Sequence, residues 1–392
     1  MRILYVLASS GLKADSVQTK VMAQIQSLNK AGASCKGAFF STEVTALTTL
    51  NDNIDLIPVE KTGKQWFNKI RQRKINGQTI AAYLNVNSKS YDCIYIRYPG
   101  ADKAFYRIVK KWGHKILIEF QGKNIDEIKT YKRDNPFTFR PSVILSYWQY
   151  YFHPLLNDWY YRKKIVKHLS AVVGITDEIS RYYNPDNTKS YTLGNGIEVS
   201  SYKMRNAPSE SDTIRLLFLA GTAGASAWNG VDRIIAGIQN YKGTHTLKLI
   251  IGGNHYEHFP AQYPFVETPG YLSKEQTDAL ADTCHLGIGT LSLHRKGLNE
   301  AAALKVREYF ARGLPVVIGY SDTDIEQHPE MKAYAYRIPN DESVPDMEGI
   351  IAFAKGMMQN QSHPQTMRQL ASAHLSWEVK MKDLLEFIQQ AI

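Results

Sequence analysis

The segment 298–309 contains Glu300, Lys305 and Glu308, so two carboxylates eight residues apart flank a lysine. A carboxylate accepts hydrogen bonds from neighbouring hydroxyl groups, and an ammonium group stabilises a leaving group on which negative charge develops. The segment follows the apolar run 286–288 and predicts a loop that enters a helix at Glu300. The free N–H groups at such a helix start suit a diphosphate. For Lys305 and Glu308, the alternative is an exposed helix face with weakly paired charges.

Glu119 ends the predicted strand 116–119, and ligands of parallel sheets bind at the carboxyl ends of strands. It is therefore a second candidate catalytic residue. The alternative, equally open, is a carboxylate that is satisfied by its local surroundings. Asp322 and Asp324 form a D-x-D pattern, but they follow the strand 313–318 late in the chain, the wrong position for the metal site of that pattern. We expect no metal site there.

Short apolar, β-branched runs alternate with helical stretches along most of the chain, which is typical of parallel sheets covered by helices on both faces. The predicted strands are 3–7, 34–40, 93–96, 116–119, 171–175, 214–220, 247–251, 265–267, 286–288 and 315–318. Serine, asparagine, proline and glutamate replace the periodic pattern near residues 200–212. We therefore predict an α/β protein of two doubly wound Rossmann-like domains, 1–204 and 205–392, with a last helix over 376–392.

The composition of the 392 residues, 44% hydrophobic and 21% charged, is typical of a globular protein. The apolar run 3–8 is too short to span a membrane and lacks the cleavage pattern of a signal peptide, so we expect a cytoplasmic protein. Cys35, Cys93 and Cys284 stand singly in apolar contexts. We expect them to be buried thiols in a reducing compartment.

Positive charge is concentrated in the first half of the chain. Residues 1–200 hold 29 Lys and Arg against 16 Asp and Glu, a net of +13, whereas residues 201–392 carry a net of −3. This asymmetry predicts an anionic partner. Because no nucleic-acid motif accompanies it, we expect an anionic membrane surface, on the inner face of the plasma membrane, and no nucleic acid. The aromatic and basic segment 137–168 predicts amphipathic helices for that contact; the alternative is a solvated basic surface with buried aromatic residues.

The segment 298–317 resembles the E-x7-E region of the retaining glycosyltransferases of family 4, which have the GT-B fold, and especially those of bacterial capsule and exopolysaccharide assembly. Residues 192–197 resemble the P-N-G-I turn of this family, with glycine in place of proline. The segments 216–221 and 228–233 resemble its strand, glycine loop and K/H-G-x-D segment. Residues 266–272 resemble the segment that lies against the nucleotide base.

The resemblance implies two domains that face each other across a cleft, with the last helix crossing back to the first domain. It implies a metal-independent glycosyltransferase without a cofactor, which transfers a sugar with retention of configuration to a glycan or lipid-linked acceptor in surface polysaccharide synthesis. The donor would be a nucleotide-sugar, UDP-linked by preference. A phosphate oxygen of the donor would help to deprotonate the acceptor, so no protein base is required.

By the same resemblance Glu300 contacts the donor sugar, Lys305 the diphosphate and Glu308 the ribose hydroxyls. The further donor-binding residues that we predict are Gly221, Asn229, Gly270, Tyr271 and Arg295. The family often has an arginine in the glycine loop and a lysine at the position of Asn229, whereas this loop reads Gly-Thr-Ala-Gly over 221–224. We expect Arg295, Lys296, Lys305 and the loop amides to supply the missing positive charge.

Two other functions stay open. A nucleotide-sugar epimerase of the same fold would need acid and base residues that face the sugar from both domains. A non-catalytic relative would bind a sugar nucleotide or a glycan as an assembly partner, and the missing loop arginine favours it.

Overall fold

The computed structural model describes residues 1–8, 16–63, 67–185, 189–207, 209–221, 226–254 and 256–392. Its contacts divide the chain into unit 1, which is Met1–Leu193 with Lys380–Ile392, and unit 2, which is Gly194–Val379. This division by contacts does not test which segments fold alone, so the domains 1–204 and 205–392 stay a prediction. Within the described residues, no helix is both long and apolar enough to cross a membrane.

Unit 1 is an α/β sheet structure. Its strands are β1 (Arg2–Leu7), β2 (Ser34–Ser41), β3 (Thr48–Asn51), β4 (Ile54–Pro58), β5 (Cys93–Arg97), β6 (Ile116–Phe120), β7 (Ala171–Gly174) and β8 (Ser190–Thr192). Its helices are α1 (Ser16–Lys30), α2 (Asn68–Asn87), α3 (Lys103–Trp112), α4 (Asn124–Asp134), α5 (Pro141–Tyr147), α6 (His153–Val166) and α7 (Asp177–Tyr183). The strand order is β3-β4-β2-β1-β5-β6-β7-β8, with β3 antiparallel to β4 and the other neighbours parallel.

Unit 2 repeats this architecture. Its strands are β9 (Thr213–Gly221), β10 (Thr246–Gly253), β11 (Val266–Gly270), β12 (Leu286–Ile288), β13 (Glu300–Ala301), β14 (Val316–Ile318), β15 (Ser321–Asp322) and β16 (Ala335–Arg337). Its helices are α8 (Val231–Asn240), α9 (Phe259–Gln262), α10 (Lys274–Thr283), α11 (Leu304–Arg312), α12 (Thr323–Gln327), α13 (Met347–Gln359) and α14 (His363–Leu370); α15 (Trp377–Ala391) begins here and continues into unit 1. The main sheet has the parallel order β11-β10-β9-β12-β14-β16, and β13 pairs with β15.

The central strands explain why helices cover both faces of each sheet. Residues 3–6 of β1 and 216–218 of β9 are apolar and fully buried, as strands between two helical layers must be. The strand order reverses between β1 and β5 in unit 1, and between β9 and β12 in unit 2. The predicted fold class of two doubly wound α/β units is confirmed. Ligands of such sheets bind at the carboxyl ends of strands near these reversal points.

The turn 194–197, where the resembled family has proline followed by Asn-Gly-Ile, opens unit 2. The side chain of Asn195 donates a hydrogen bond to the Ala302 carbonyl at 2.7 Å. A Cβ atom at position 194 would lie 2.4 Å from a carboxylate oxygen of Asp324, and one at position 196 would lie 2.6 Å from the Trp377 ring. Close packing therefore requires glycine at both positions, which explains the replacement of proline.

Candidate functional site

Glu300 lies in the short strand β13 and not at a helix start as the sequence predicts. It is opposite Ser321 of β15 in the parallel pair, and α11 begins only at Leu304. The backbone N–H of Ser321 donates to the Asn299 carbonyl at 3.0 Å, which holds this stretch extended. The two predicted carboxylates thus sit on different elements, Glu300 on a strand and Glu308 on a helix.

Lys305, in the first turn of α11, lies next to the predicted donor-binding residue Asn229. Its Nζ atom is 3.4 Å from Oδ1 of Asn229 and 4.0 Å from the centre of the Phe218 ring. Burial lowers the pKa of Lys305 to about 7, although the carboxylate of Glu308 acts in the opposite direction. An anion that approached this lysine would restore its full charge.

Asn229 is held in place by the turn before α8. Its carbonyl accepts a hydrogen bond from the N–H of Leu291 at 3.0 Å, and its side chain is buried. Gly230 follows with a φ of 70°, and a Cβ there would lie 2.6 Å from Oγ of Ser292. The amide of Asn229 accepts a hydrogen bond from Lys305, whereas a lysine at this position would place two like charges side by side. This pairing accounts for the departure from the resembled family.

Unit 2 contains a cavity of about 410 Å³ at the carboxyl ends of β9 and β10. The predicted residues Tyr271 and Glu308 line it, together with the backbone of Gly252 and Gly253. A Cβ atom on Gly252 would lie only 2.8 Å from Cδ1 of Leu272, so the packing of Leu272 requires glycine there. An aromatic side chain at the edge of such a cavity suits a planar ring such as a nucleotide base. Tyr271 itself is 69% exposed, which leaves its ring available.

Gly270 and Gly221 terminate the strands that border this cavity. Gly270 ends β11 with a φ of 78°, and a Cβ atom on it would contact nothing within 4 Å, so its role is to let the chain turn before Tyr271. Gly221 ends β9 and pairs with Gly253 of β10. The rest of the predicted glycine loop, 222–225, lies outside the described residues.

Glu308 belongs to a charged cluster along one side of the cavity. Nη1 of Arg312 donates to Oε2 of Glu308 at 3.2 Å, and Nε of Arg312 donates to Asp278 at 2.8 Å. The guanidinium also lies 4.6 Å from the ring centre of Tyr202, which lines the same cavity. Burial raises the pKa of Glu308, while the charges of Arg312 and Lys305 oppose that rise. Arg312 thus orients a carboxylate in a position where it can accept hydrogen bonds from hydroxyl groups.

Arg295 does not fit the predicted role as a diphosphate ligand. Its guanidinium donates to both carboxylate oxygens of Asp232, at 2.9 and 2.7 Å, and to Glu342 at 2.8 and 2.5 Å. These hydrogen bonds raise the pKa of Arg295 well above its usual range. Both carboxylates already engage the guanidinium, so it is not available to a diphosphate. The side chain instead fastens the first turn of α8 to the loop that contains Glu342.

Glu119 is fully buried in unit 1, so the structure supports local satisfaction rather than contact with a substrate. Its carboxylate accepts hydrogen bonds from Lys20 at 2.8 Å, Tyr95 at 2.8 Å and Tyr5 at 3.2 Å. Burial alone would raise its pKa, but the ammonium group of Lys20 lowers it below the usual value. Gln24 donates a further hydrogen bond at 3.2 Å. Sequence reasoning placed Glu119 at the end of a strand but did not detect these four partners.

Unit 1 has its own cavity, of about 620 Å³, at the reversal point of its sheet. Leu7 ends β1 there, and Arg97 and Tyr98 follow from β5. Among the described residues, Nη1 of Arg97 and the hydroxyl of Tyr98 are buried without a hydrogen-bond partner. Arg73 on α2 adds a second guanidinium to the lining, against one carboxylate of Asp102. Such unpaired donors suit a ligand that is rich in oxygen or negatively charged.

Asp322 and Asp324 face an arginine inside unit 2. Nη2 of Arg307 donates to Oδ1 of Asp322 at 2.9 Å, and the same guanidinium contacts Asp324; the side chains of Arg307 and Asp322 are fully buried. Asp322 also caps the start of α12 by accepting from the backbone N–H of Ile325 at 3.5 Å. The D-x-D pattern therefore forms a buried ion pair that ties α12 to α11.

Helix α6 and the loop before α5 expose aromatic and basic side chains on unit 1. Phe139 is 87% exposed and Trp159 is 76% exposed, and Leu156 is exposed between them in the chain. Nζ of Lys164 lies 3.4 Å from the ring centre of the exposed Tyr160. We call Phe139, Leu156, Trp159, Tyr160 and Lys164 the aromatic surface. The alternative of buried aromatic side chains does not hold for these residues.

Cys35, Cys93 and Cys284 are all buried and free, as predicted. Burial raises the pKa of the Cys35 thiol to about 12 and that of Cys284 to about 11. They contribute to the core and offer no nucleophile.

No protein-family model matches the chain, and no curated protein matches it. Solved structures do resemble it. Sucrose-phosphate synthase from Thermosynechococcus elongatus superposes with a TM-score of 0.66 at 12% identity, over 99% of this chain and 98% of its own. WaaG, a glycosyltransferase involved in lipopolysaccharide biosynthesis, has a TM-score of 0.59 at 12% identity, over 97% of this chain and 98% of its own. HepE from Anabaena, in complex with UDP-glucose, has a TM-score of 0.59 at 13% identity, over the full length of both chains.

The chain has the GT-B fold. In this fold each sheet unit is one Rossmann-like domain. At 12 to 13% identity the likeness is one of fold and assigns no residue roles, so the predicted site residues stay predictions.

The described structure adds site residues that the sequence did not single out. Tyr202 and Arg312 line the cavity of unit 2, and neither was among the predicted site residues. Gly252 and Gly253 also line this cavity. A signal was present in the sequence, since two adjacent glycines at the carboxyl end of a buried strand indicate close approach of a ligand to the backbone.

Proposed function

We propose that this protein is a glycosyltransferase that moves a sugar from a nucleotide-sugar, UDP-linked by preference, to a glycan or lipid-linked acceptor. The observation that carries the proposal is the cavity of unit 2, at the carboxyl ends of β9 and β10, which is lined by Tyr271 and by Glu308, one helical turn from Lys305. The fold adds support, because HepE with this fold was solved in complex with UDP and with UDP-glucose.

In this proposal the base lies between the Gly252–Gly253 backbone and Tyr271, and Glu308 accepts hydrogen bonds from the ribose. Lys305 neutralises the diphosphate, for which the engaged Arg295 is not available. Glu300 contacts the sugar from β13, where a carboxylate stabilises the positive charge that develops on the ring. These residues come from β10, the position after β11, the short strand β13 and helix α11 of unit 2.

The reaction that we propose retains configuration. The bond between the anomeric carbon and the diphosphate oxygen breaks, and its electron pair stays on the nucleoside diphosphate. The acceptor oxygen bonds to the same face of the anomeric carbon and passes its proton to the departing phosphate oxygen. Neither a protein base nor a metal ion is needed, because Lys305 and backbone amides hold the leaving group.

The acceptor belongs in the cavity of unit 1. The unpaired donors of Arg97 and Tyr98 favour an acceptor with several oxygen atoms or a negative charge. A glycan or a lipid-linked diphosphate has both properties. We place the enzyme in bacterial capsule or exopolysaccharide synthesis, and WaaG, which resembles it in fold, is involved in lipopolysaccharide biosynthesis.

The aromatic surface and the net charge of +13 in residues 1–200 support peripheral attachment to an anionic membrane from the cytoplasm. Each basic residue near such a surface contributes about 1 kcal/mol. Co-sedimentation with vesicles tests this: binding should require anionic lipid, fall with salt and weaken in Trp159→Ser. The matched control is Trp377→Phe, a conservative change at a buried position. Equal sedimentation with neutral and anionic vesicles would contradict membrane attachment.

The function is tested by incubating the protein with single nucleotide-sugars, with and without glycan or lipid-linked acceptors, and by separating the products. Sugar transfer is demonstrated when a glycosylated acceptor and free nucleoside diphosphate are both formed. An epimer formed without acceptor would identify an epimerase instead. Tight binding of a nucleotide-sugar without turnover on any acceptor would identify a binding protein, an alternative that the engaged Arg295 favours.

A further inference from the structure

We infer that His328, Glu330 and His374 form a binding site for a divalent transition-metal ion of the zinc class. The site lies in unit 2, outside the residues to which we assign the donor. His328 follows α12, Glu330 lies in the 3-10 turn Pro329–Tyr334, and His374 lies in the π-helical turn before α15. His374 lies 46 positions after His328 and 44 after Glu330 in the sequence, and the fold brings the three residues together.

The three potential ligand atoms are close enough to share one ion. Nε2 of His374 is 3.0 Å from Oε1 of Glu330, and Nδ1 of His328 is 4.0 Å from the same oxygen. All three atoms lie within 4.8 Å of one another. Ligands of a tetrahedral zinc ion, at about 2.0 to 2.2 Å from the metal, are separated from each other by about 3.3 to 3.6 Å. The stacked imidazoles must rotate so that their in-plane lone pairs converge on one ion.

The types of ligand select the class of metal. Two imidazoles with one carboxylate are a ligand set that zinc uses, with water in the fourth position. Calcium and magnesium prefer oxygen ligands alone. The side chains of His328, Glu330 and His374 are 32%, 48% and 25% exposed, so an ion can enter from solvent and a water molecule can complete its coordination.

The three side chains of this cluster contact one another. The two imidazoles stack with their centres 3.8 Å apart and both approach the carboxylate of Glu330. The nearby cations of Lys332 and Arg337 pair instead with Glu326, at 2.7 and 2.9 Å.

A bound ion would close a loop that contains α13 and α14, because its ligands stand at the two ends of that segment. An ion that binds only the folded protein stabilises it by mass action. The expected consequence is greater stability of unit 2. Transfer itself does not require the ion, because the site does not include the donor residues.

Calorimetric titration of the full-length protein with Zn²⁺, after removal of metal by a chelator, tests the site. We expect one ion per chain, and the visible absorption of tetrahedral cobalt when Co²⁺ replaces zinc. At 100 times the dissociation constant, zinc should raise the unfolding midpoint by about 5 to 10 °C. His374→Ala and Glu330→Gln should each weaken binding at least tenfold, whereas His258→Ala, an exposed histidine elsewhere in unit 2, should bind as the wild type does.

Unchanged zinc affinity in both cluster variants, or no saturable binding by the wild type, would overturn the proposal. Glu330→Gln decides the matter if His374→Ala unfolds, because it keeps the size of the side chain and removes only the anionic ligand. These measurements need no transfer activity, so their outcome is independent of the proposed function.

Discussion

Replacing Lys305 by methionine should weaken the binding of UDP-glucose and remove its dependence on pH. Burial lowers the pKa of Lys305 to about 7, so about half of these groups are neutral at pH 7 in the free protein. A diphosphate stabilises the charged form and raises the pKa again. Affinity should therefore be greatest below pH 7 and fall as the pH rises through that value. UDP-glucose is the suitable probe, because both of its phosphates are esterified and keep a constant charge in this range.

The magnitude follows from the fraction of Lys305 that is charged. If only the ammonium form binds, the association constant falls about tenfold between pH 6 and pH 8, which corresponds to about 1.4 kcal/mol. At pH 6, the loss of a hydrogen bond to a charged group costs about 1.5 to 3 kcal/mol. The methionine variant should therefore bind about 10- to 150-fold more weakly at pH 6 and show no change up to pH 8.

Titration calorimetry at pH 6, 7 and 8, in buffers with different ionisation enthalpies, measures both the affinity and the uptake of protons. The wild type should take up about half a proton at pH 7, and Lys305→Met none. Lys355→Met, which removes an exposed lysine on α13, is the control and should behave as the wild type. Equal affinity of Lys305→Met and wild type at pH 6 would refute the contact between Lys305 and the diphosphate.

Three further outcomes are expected. The pKa of Lys305 is lower in the folded protein than in the unfolded chain, so its charge destabilises the fold below pH 7 and ceases to do so above the usual lysine pKa. Lys305→Met should therefore raise the free energy of unfolding, measured with urea, more at pH 6 than at pH 10. Arg307→Met should lower the free energy of unfolding by about 3 to 5 kcal/mol, because it leaves the carboxylates of Asp322 and Asp324 buried and unpaired. As the control, Arg337→Met removes one partner of an exposed ion pair and should change the free energy of unfolding by less than about 1 kcal/mol. Transfer activity should survive EDTA; loss restored by magnesium or manganese would contradict a metal-independent mechanism.

Hydrophobic patterning predicted most strands of the two main sheets, including the three-residue β12 and β14, and missed β3, β4, β8, β13, β15 and β16. Each of the ten predicted strands overlaps an observed strand, because buried parallel strands are continuous apolar runs. The edge strand β3 escaped prediction because its residues, 48–51, are all exposed and carry no apolar pattern. The two-residue strand β13 forms because it pairs with β15. A local sequence pattern does not contain this pairing with a later segment. This is why Glu300 was expected on a helix.

The candidate site was predictable where motifs mark strand ends, and not where partners come from remote segments. Tyr271 and Glu308 line one cavity, and Lys305 contacts Asn229, as expected of neighbouring ligands. Arg295 has the residue type of a phosphate ligand, but its carboxylate partners lie 63 and 47 positions away in the sequence. Only the tertiary structure shows whether a charged side chain is available to a ligand or is engaged in an ion pair.

The most direct test of the proposed function is transfer from a nucleotide-sugar to an acceptor, measured for the wild type beside Glu300→Ala. We predict that the wild type forms a glycosylated acceptor and free nucleoside diphosphate. The variant should keep the wild-type melting curve and its binding of the nucleoside diphosphate but lose at least tenfold in turnover, since it lacks a charged contact to the sugar. Unchanged turnover in a folded Glu300→Ala protein would remove Glu300 from the active site, whereas no transfer by the wild type to any acceptor would contradict the proposed function.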